Sequence, residues 1–173
     1  TKWHWACRKT LISSRENSGC IRPNAAPAGS GSMQWVADPP STFHVLAGAT
    51  VIANLSASNE TVSKDAYREL LVKSTSARLL CGYIYTSAGE GESTQDLVFG
   101  GHNLIAENGT LLAQSSRFAT GILYTDLDVL KISSERRRMG TFGKQPTVSY
   151  CKIPFSMELT ETKLERKFAA HPF

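Results

Sequence analysis

The stretch Val51-Ile52-Ala53-Asn54-Leu55-Ser56-Ala57-Ser58-Asn59-Glu60-Thr61 decides the fold. Its first half, Thr50 to Leu55, is an unalternated apolar run, the pattern of a strand covered on both faces. Its second half is polar, with Ser and Asn side chains that suit a loop after a strand. Asp65 to Leu80 then reads as a helix, because Ala66, Leu70, Leu71, Ala77 and Leu80 recur at helical spacing. Lys64, Arg68, Glu69 and Lys73 fall largely on its other faces. Leu80 to Thr86, rich in Tyr and Ile, is the next strand.

Upstream, Ser41 is placed to cap a short helix over Thr42 to Ala47, with Gly48 as its stop. Downstream of the glycine-rich loop Gly89-Glu90-Gly91-Glu92, strands are predicted at Asp96 to Phe99, His102 to Glu107 and Leu111 to Gln114. Asn108-Gly109 joins the last two as a hairpin, since a type I′ turn needs two residues that tolerate positive φ. Thr120 to Val129 reads as a further strand. Helices follow at Leu130 to Arg138 and at Leu159 to Ala170. Strands that alternate with helices and then give way to a meander predict an α/β fold, one half of a layered sandwich.

Charge divides the chain near residue 33. Lys2, Arg8, Lys9, Arg15 and Arg22 face Glu16 alone, so the net charge of +4 resides in this leader, and residues 34–173 are balanced. The five cations are scattered, which argues against an electrostatic arm for nucleic acid or membrane. Residues 1–33 therefore read as an unrelated leader, expected to be disordered, with Gly29 to Ser32 as a flexible linker. No signal-peptide core and no apolar stretch long enough to span a bilayer is present in the sequence. Cys7, Cys20, Cys81 and Cys151 make no spaced framework, which suits a reducing, cytoplasmic setting. Cys81 and Cys151 lie in apolar runs and read as small buried hydrophobes.

Three motifs carry a family resemblance: the opening stretch; Ala88-Gly89-Glu90-Gly91-Glu92-Ser93-Thr94 leading to Gly101-His102-Asn103-Leu104; and Ser134-Glu135-Arg136-Arg137-Arg138-Met139, supported by Pro154-Phe155-Ser156-Met157-Glu158-Leu159. Together they resemble the glutaminase half of glutamine-dependent NAD synthetase, a member of the nitrilase, or carbon-nitrogen hydrolase, superfamily. The resemblance implies the second half of an α-β-β-α sandwich over residues 34–173, ending at the connector to a synthetase domain that would bind ATP and deamido-NAD. No cofactor is then expected in this chain. In that family a cysteine nucleophile precedes a Trp and a Pro-Pro-Ser. Trp35 and Pro39-Pro40-Ser41 match the end of that segment, which puts Gly31 in the nucleophile slot.

Glycine cannot form a thioester, so covalent catalysis at that position is excluded. The family also takes its general base and its lysine from earlier residues than those resembled here, and this chain alone is expected to be inactive. What the resemblance leaves is substrate recognition: Ser58 and Lys64 are implied to hold the free amino-acid end of glutamine, and a hydroxyl and an ammonium both donate hydrogen bonds to a carboxylate. Read without the resemblance, Ser58 is a loop-capping residue and Lys64 a solvated residue at a helix start. Glu92 and Thr94 are implied to shape the pocket. The same glycine loop lacks the Gly-Lys-Ser/Thr of a phosphate loop and carries two carboxylates. Arg136 to Arg138 read as a solvated helix face or as partners of Glu135, Asp126 and Asp128 rather than a nucleic-acid patch. The histidines are too dispersed for a metal site.

Two alternatives remain at this point: a non-catalytic binding or assembly module of the superfamily, and a hydrolase for another amide. An uncovered half sandwich also predicts self-association, as a homo-oligomer or with an intact homologue.

Overall fold

The computed structural model describes residues 18–23, 35–143, 150–155, 163–164 and 166–168, with only the backbone for 18–23 and 150–155. Its elements are β1 Ser18–Pro23, α1 Pro40–Leu46, β2 Val51–Ser56, α2 Lys64–Leu79, β3 Gly82–Ser87, β4 Leu104–Glu107, β5 Thr110–Gln114, α3 Val129–Arg138 and β6 Tyr150–Phe155. β2 to β5 form a four-stranded sheet in sequence order, and β1 pairs antiparallel with β6 in a separate two-stranded sheet. The fold is mixed α/β.

β2 and β3 run parallel, so the chain must cross over between them, and α2 is that crossover. β3, β4 and β5 are antiparallel, with a bulge at Ile105/Ala106. The turn between β4 and β5 is the predicted one: Asn108 and Gly109 have φ of 46° and 85°. Strand register sets the core. Ile52 and Asn54 lie beside Tyr83 and Tyr85, which in turn lie beside Ala106 and Leu104. These residues share the face on which Val45 of α1 and Val72 and Leu79 of α2 pack.

Several sequence expectations change. β2 alternates, with Ile52, Asn54 and Ser56 buried and Ala53 and Leu55 exposed, because one of its faces packs on the core and nothing among the described residues covers the other there. α2 turns a different side to the sheet than its apolar residues predict. Arg68, Val72, Thr75, Ser76 and Leu79 are buried, whereas Ala66 and Ala77 are exposed and Leu70 is 61% exposed. Among the polar members of the inner stripe, Ser76 Oγ donates to the Cys81 carbonyl at 2.7 Å, and Arg68 meets Glu60 and His102.

Asp96 to Phe99 and Thr120 to Leu127 are irregular rather than strands. Side chains take the ladder's place: Leu97 N–H donates to Thr94 Oγ1, Phe99 N–H to Ser93 Oγ, and Asp128 N–H to Glu107 Oε2. Ser41 is buried in the first turn of α1 and makes no side-chain cap; Pro39 is the N-cap residue. The helix expected over Leu159 to Ala170 falls largely outside the described residues, and Lys163, Leu164 and 166–168 within it are non-helical. There Arg166 is tied to Glu107 at 2.7 Å and to the Asp126 carboxylate through its backbone N–H at 3.0 Å. Within the leader, Ser18–Pro23 forms a strand where composition shows no strand period. The remaining leader residues, Gly31 among them, lie outside the described residues.

Arg136, read as a solvated or ion-paired residue, instead closes the C-terminal end of α2. Its Nε donates to the Leu80 carbonyl at 2.8 Å and its Nη2 to Leu79 at 3.4 Å. A cation there meets the unpaired carbonyls and the negative end of the helix dipole.

Candidate functional site

In a parallel strand pair the loops that leave the carboxyl ends of the strands are the natural place for a site. Here those loops follow Ser56 and Ser87, and they are joined: Ala88 N–H donates to the Ser56 carbonyl, and Gly101 N–H to the Ala88 carbonyl. The loop after β2 carries Ser58, Asn59 and Glu60. Ser58 is 9% exposed. Lys64 opens α2, and its Nζ donates to Asn59 Oδ1 at 2.7 Å while lying 5.1 Å from the centre of the Trp35 ring. Tyr67 stands beside the same indole at 5.6 Å between ring centres. Burial, then the nearby Arg68 guanidinium, pulls the Lys64 ammonium below its usual range, and Glu60 opposes them.

Beneath this loop lies a buried ion pair. Arg68 Nη2 donates to Glu60 Oε2 at 3.1 Å, with side chains 0% and 7% exposed. Its Nη1 is 3.1 Å from His102 Nδ1. A guanidinium only donates, so Nδ1 accepts and the ring proton is on Nε2, with Gln114 as the imidazole's other hydrogen-bond partner. The His102 pKa is lowered, first by burial and then by Arg68. Arg68 also lies 5.9 Å from the centre of the Tyr85 ring. This constellation is absent from the sequence reading. Its signal was the spacing 68, 72, 75, 76, 79, which a search for apolar residues passes over because three of its five members are polar.

Ser58 and Lys64 are thus brought into one partly buried loop and helix start. Glu92 and Thr94 are exposed, and Thr94 is engaged in its own turn, donating through N–H to the Leu97 carbonyl and accepting at Oγ1 from Leu97 N–H. Their loop touches the first one farther along, where Glu60 N–H donates to the Val98 carbonyl at 2.6 Å and a side chain at Gly100 would collide with Glu60. Beside His102, a cavity of about 440 Å³ opens between Asp65 and Glu69 of α2, Gln114 at the end of β5, and Ser116 and Arg117 after it. Arg117 and Asp65 form a 3.5 Å ion pair there. No group of His, Cys, Asp or Glu residues that could hold a metal ion occurs among the described residues.

Cys81 is fully buried, and burial raises its thiol pKa to about 12. It behaves as the small hydrophobe its surroundings predict, with almost no thiolate at neutral pH.

No family model matches the chain. It is similar to glutamine-dependent NAD(+) synthetases: 46% identical over 132 residues to that of Mycobacterium tuberculosis H37Rv, which is 72% of this chain and 19% of the relative. The enzyme of the same name from Mycobacterium leprae is 51% identical over 111 residues, 63% of this chain and 16% of the relative. That of Aquifex aeolicus is 30% identical over 117 residues, 64% and 20%. A solved glutamine-dependent NAD(+) synthetase from Cytophaga hutchinsonii matches 44% of this chain and 13% of its own at 34% identity, with a TM-score of 0.42. The chain spans about a fifth of the length of the curated relatives it matches.

Proposed function

We propose that this chain carries the glutamine-recognition part of the glutaminase domain of a glutamine-dependent NAD(+) synthetase, the nitrilase-type layer that follows the nucleophile. In the whole enzyme such a domain would hydrolyse glutamine, and the ammonia would amidate deamido-NAD at the cost of ATP, bound in another domain. Substrate, ligase activity and a cytoplasmic setting all belong to this proposal. One observation carries it: a buried Ser58 and a Lys64 ammonium held by Asn59 and Trp35 occupy one loop and helix start at the carboxyl end of a parallel strand pair.

The ammonium and the hydroxyl bind the α-carboxylate of glutamine. Asn59 and the indole hold Lys64 in place and leave it further N–H donors, so part of the ordering cost is met before the ligand arrives. Amide cleavage needs a thiolate, a proton acceptor and an oxyanion donor. Cys81, protonated inside the core, is no source of a thiolate, and Gly31 stands in the slot that the resemblance gives the nucleophile, so the proposal is of a chain that recognises glutamine without hydrolysing it. Glu92 and Thr94 contribute only through the loop that carries them.

Calorimetric titration of L-glutamine tests the recognition, and an ammonia assay tests the silence. Expected are a saturable heat that weakens at least tenfold, about 1.4 kcal/mol, in Ser58→Ala and Lys64→Met, and no ammonia above background. Glutamine binding unchanged in both variants, or ammonia release abolished by Cys151→Ala, would overturn the reading.

The edge position of β2 favours association as a second property of the same chain. Leu55 is 55% exposed on a strand whose outer backbone edge has no partner among the described residues.

A further inference from the structure

The Ser58–Lys64 loop rests on a buried charge arrangement. Glu60 lies in the loop between Ser58 and Lys64, Arg68 lies one turn further along α2, and His102 lies in the segment that enters β4. Arg68 has no exposed surface, and His102 is 6% exposed. One guanidinium therefore spans two segments far apart in sequence, donating to a carboxylate on one side and to a neutral imidazole on the other. The loop is further fastened by Glu60 N–H to the Val98 carbonyl, and the His102 segment by Gly101 N–H to the Ala88 carbonyl.

We propose that Glu60, Arg68 and His102 form an acid-sensitive latch: with His102 neutral, Arg68 holds Glu60 and fixes the Ser58–Lys64 loop, and with a proton on His102 Nδ1 the latch opens and the loop is released. The chemistry is a single proton transfer from solvent. Nδ1 loses its acceptor lone pair, the Arg68 donor loses this partner, and an imidazolium then faces a guanidinium about 3 Å away, both residues almost wholly buried.

Every group that faces the imidazole fits this direction or is too weak to reverse it. Arg68 of α2 lowers its proton affinity and burial lowers it more, while Gln114 at the end of β5, Glu60 and Asp65 of α2 oppose them, and the net shift is downward. Asp65 is itself shared with Arg117. The sign follows. A histidine whose folded pKa lies below its unfolded value near 6.5 contributes stability that is complete above that value and is lost as pH falls through the folded pKa.

The test is hydrogen exchange of the full chain from pH 7.5 to 5.5, corrected for the intrinsic rate. Amides of residues 57–64 should lose protection severalfold at the acid end while those of β3 keep theirs. In His102→Asn, whose amide oxygen can accept from Arg68 but does not titrate, the step should vanish. Equal loop protection at both ends of the range in the unaltered chain would overturn the latch, and that measurement needs no variant. A step that persists in a folded His102→Asn would overturn it as well.

A second readout rests on the glutamine reading above: affinity for L-glutamine should fall with the same pH step. If glutamine binds at no pH, the recognition reading fails and the exchange data alone decide the latch. If glutamine binds with the same affinity at pH 7.5 and 5.5, the latch fails while recognition stands.

Discussion

Arg68 shows how far one residue can depart from what its neighbours in sequence announce. Its charge puts it on the outer face of an amphipathic helix, yet it is the largest fully buried side chain described, held there by Glu60, His102 and the Tyr85 ring. Breaking a buried pair from one side strands the other charge, so Arg68→Met should cost about 3 kcal/mol in urea unfolding. Glu60→Gln with Arg68→Met together should recover part of that loss, and a double variant no more stable than Arg68→Met would contradict the pairing. Arg136→Ala should cost about 1 kcal/mol by removing the donors at the end of α2. Neither role was legible in sequence, because the partners lie 8 and 34 residues from Arg68 and 56 and 57 from Arg136. Ser58 and Lys64 lie together because they belong to one short segment, the loop after β2 and the start of α2, and their part in glutamine recognition is the proposal made above.

At the scale of elements, α2 was found within one residue at each end, since its boundaries depend on local signals, but its inner face was not. Counting apolar residues selects Ala66, Leu70 and Ala77, which face solvent. The stripe that meets the sheet mixes Val72 and Leu79 with Arg68, Thr75 and Ser76, of which Arg68 meets Glu60 and His102 and Ser76 meets the Cys81 carbonyl. Two substitutions separate the readings. Leu70→Lys should change stability by less than about 0.5 kcal/mol, as an exposed position does, and Val72→Ala should cost about 2 kcal/mol from two lost methyl groups in the core. The reverse order in thermal or urea unfolding would restore the face predicted from sequence. The Asn108-Gly109 turn was legible because its chemistry is confined to two residues. Gly109→Ala should cost about 1 kcal/mol or more: its φ is 85°, and an added Cβ would stand 2.8 Å from that of Ala77.

For the molecule as a whole, the order of strands and helices carries the α/β class, whereas the strands expected at Asp96 to Phe99 and Thr120 to Val129 do not form, because apolar content alone does not supply a pairing partner. The edge of β2, unpartnered among the described residues, carries the prediction for solution behaviour. Self-association at micromolar concentration is expected in sedimentation, and Leu55→Lys, a charge placed on that edge, should shift the population toward monomer. An unchanged distribution would show that association, if present, uses another surface. Cys81 offers a different use of the same architecture. Packed between α2 and the sheet with its proton held to about pH 12, it cannot meet an alkylating reagent until the helix lifts away and water returns the thiol to its ordinary acidity. With Cys7, Cys20 and Cys151 replaced by serine, the rate of iodoacetamide capture at Cys81 becomes a stopwatch for that lifting. The ratio of this rate to that of an unfolded peptide gives the free energy of a breathing motion that equilibrium unfolding averages away.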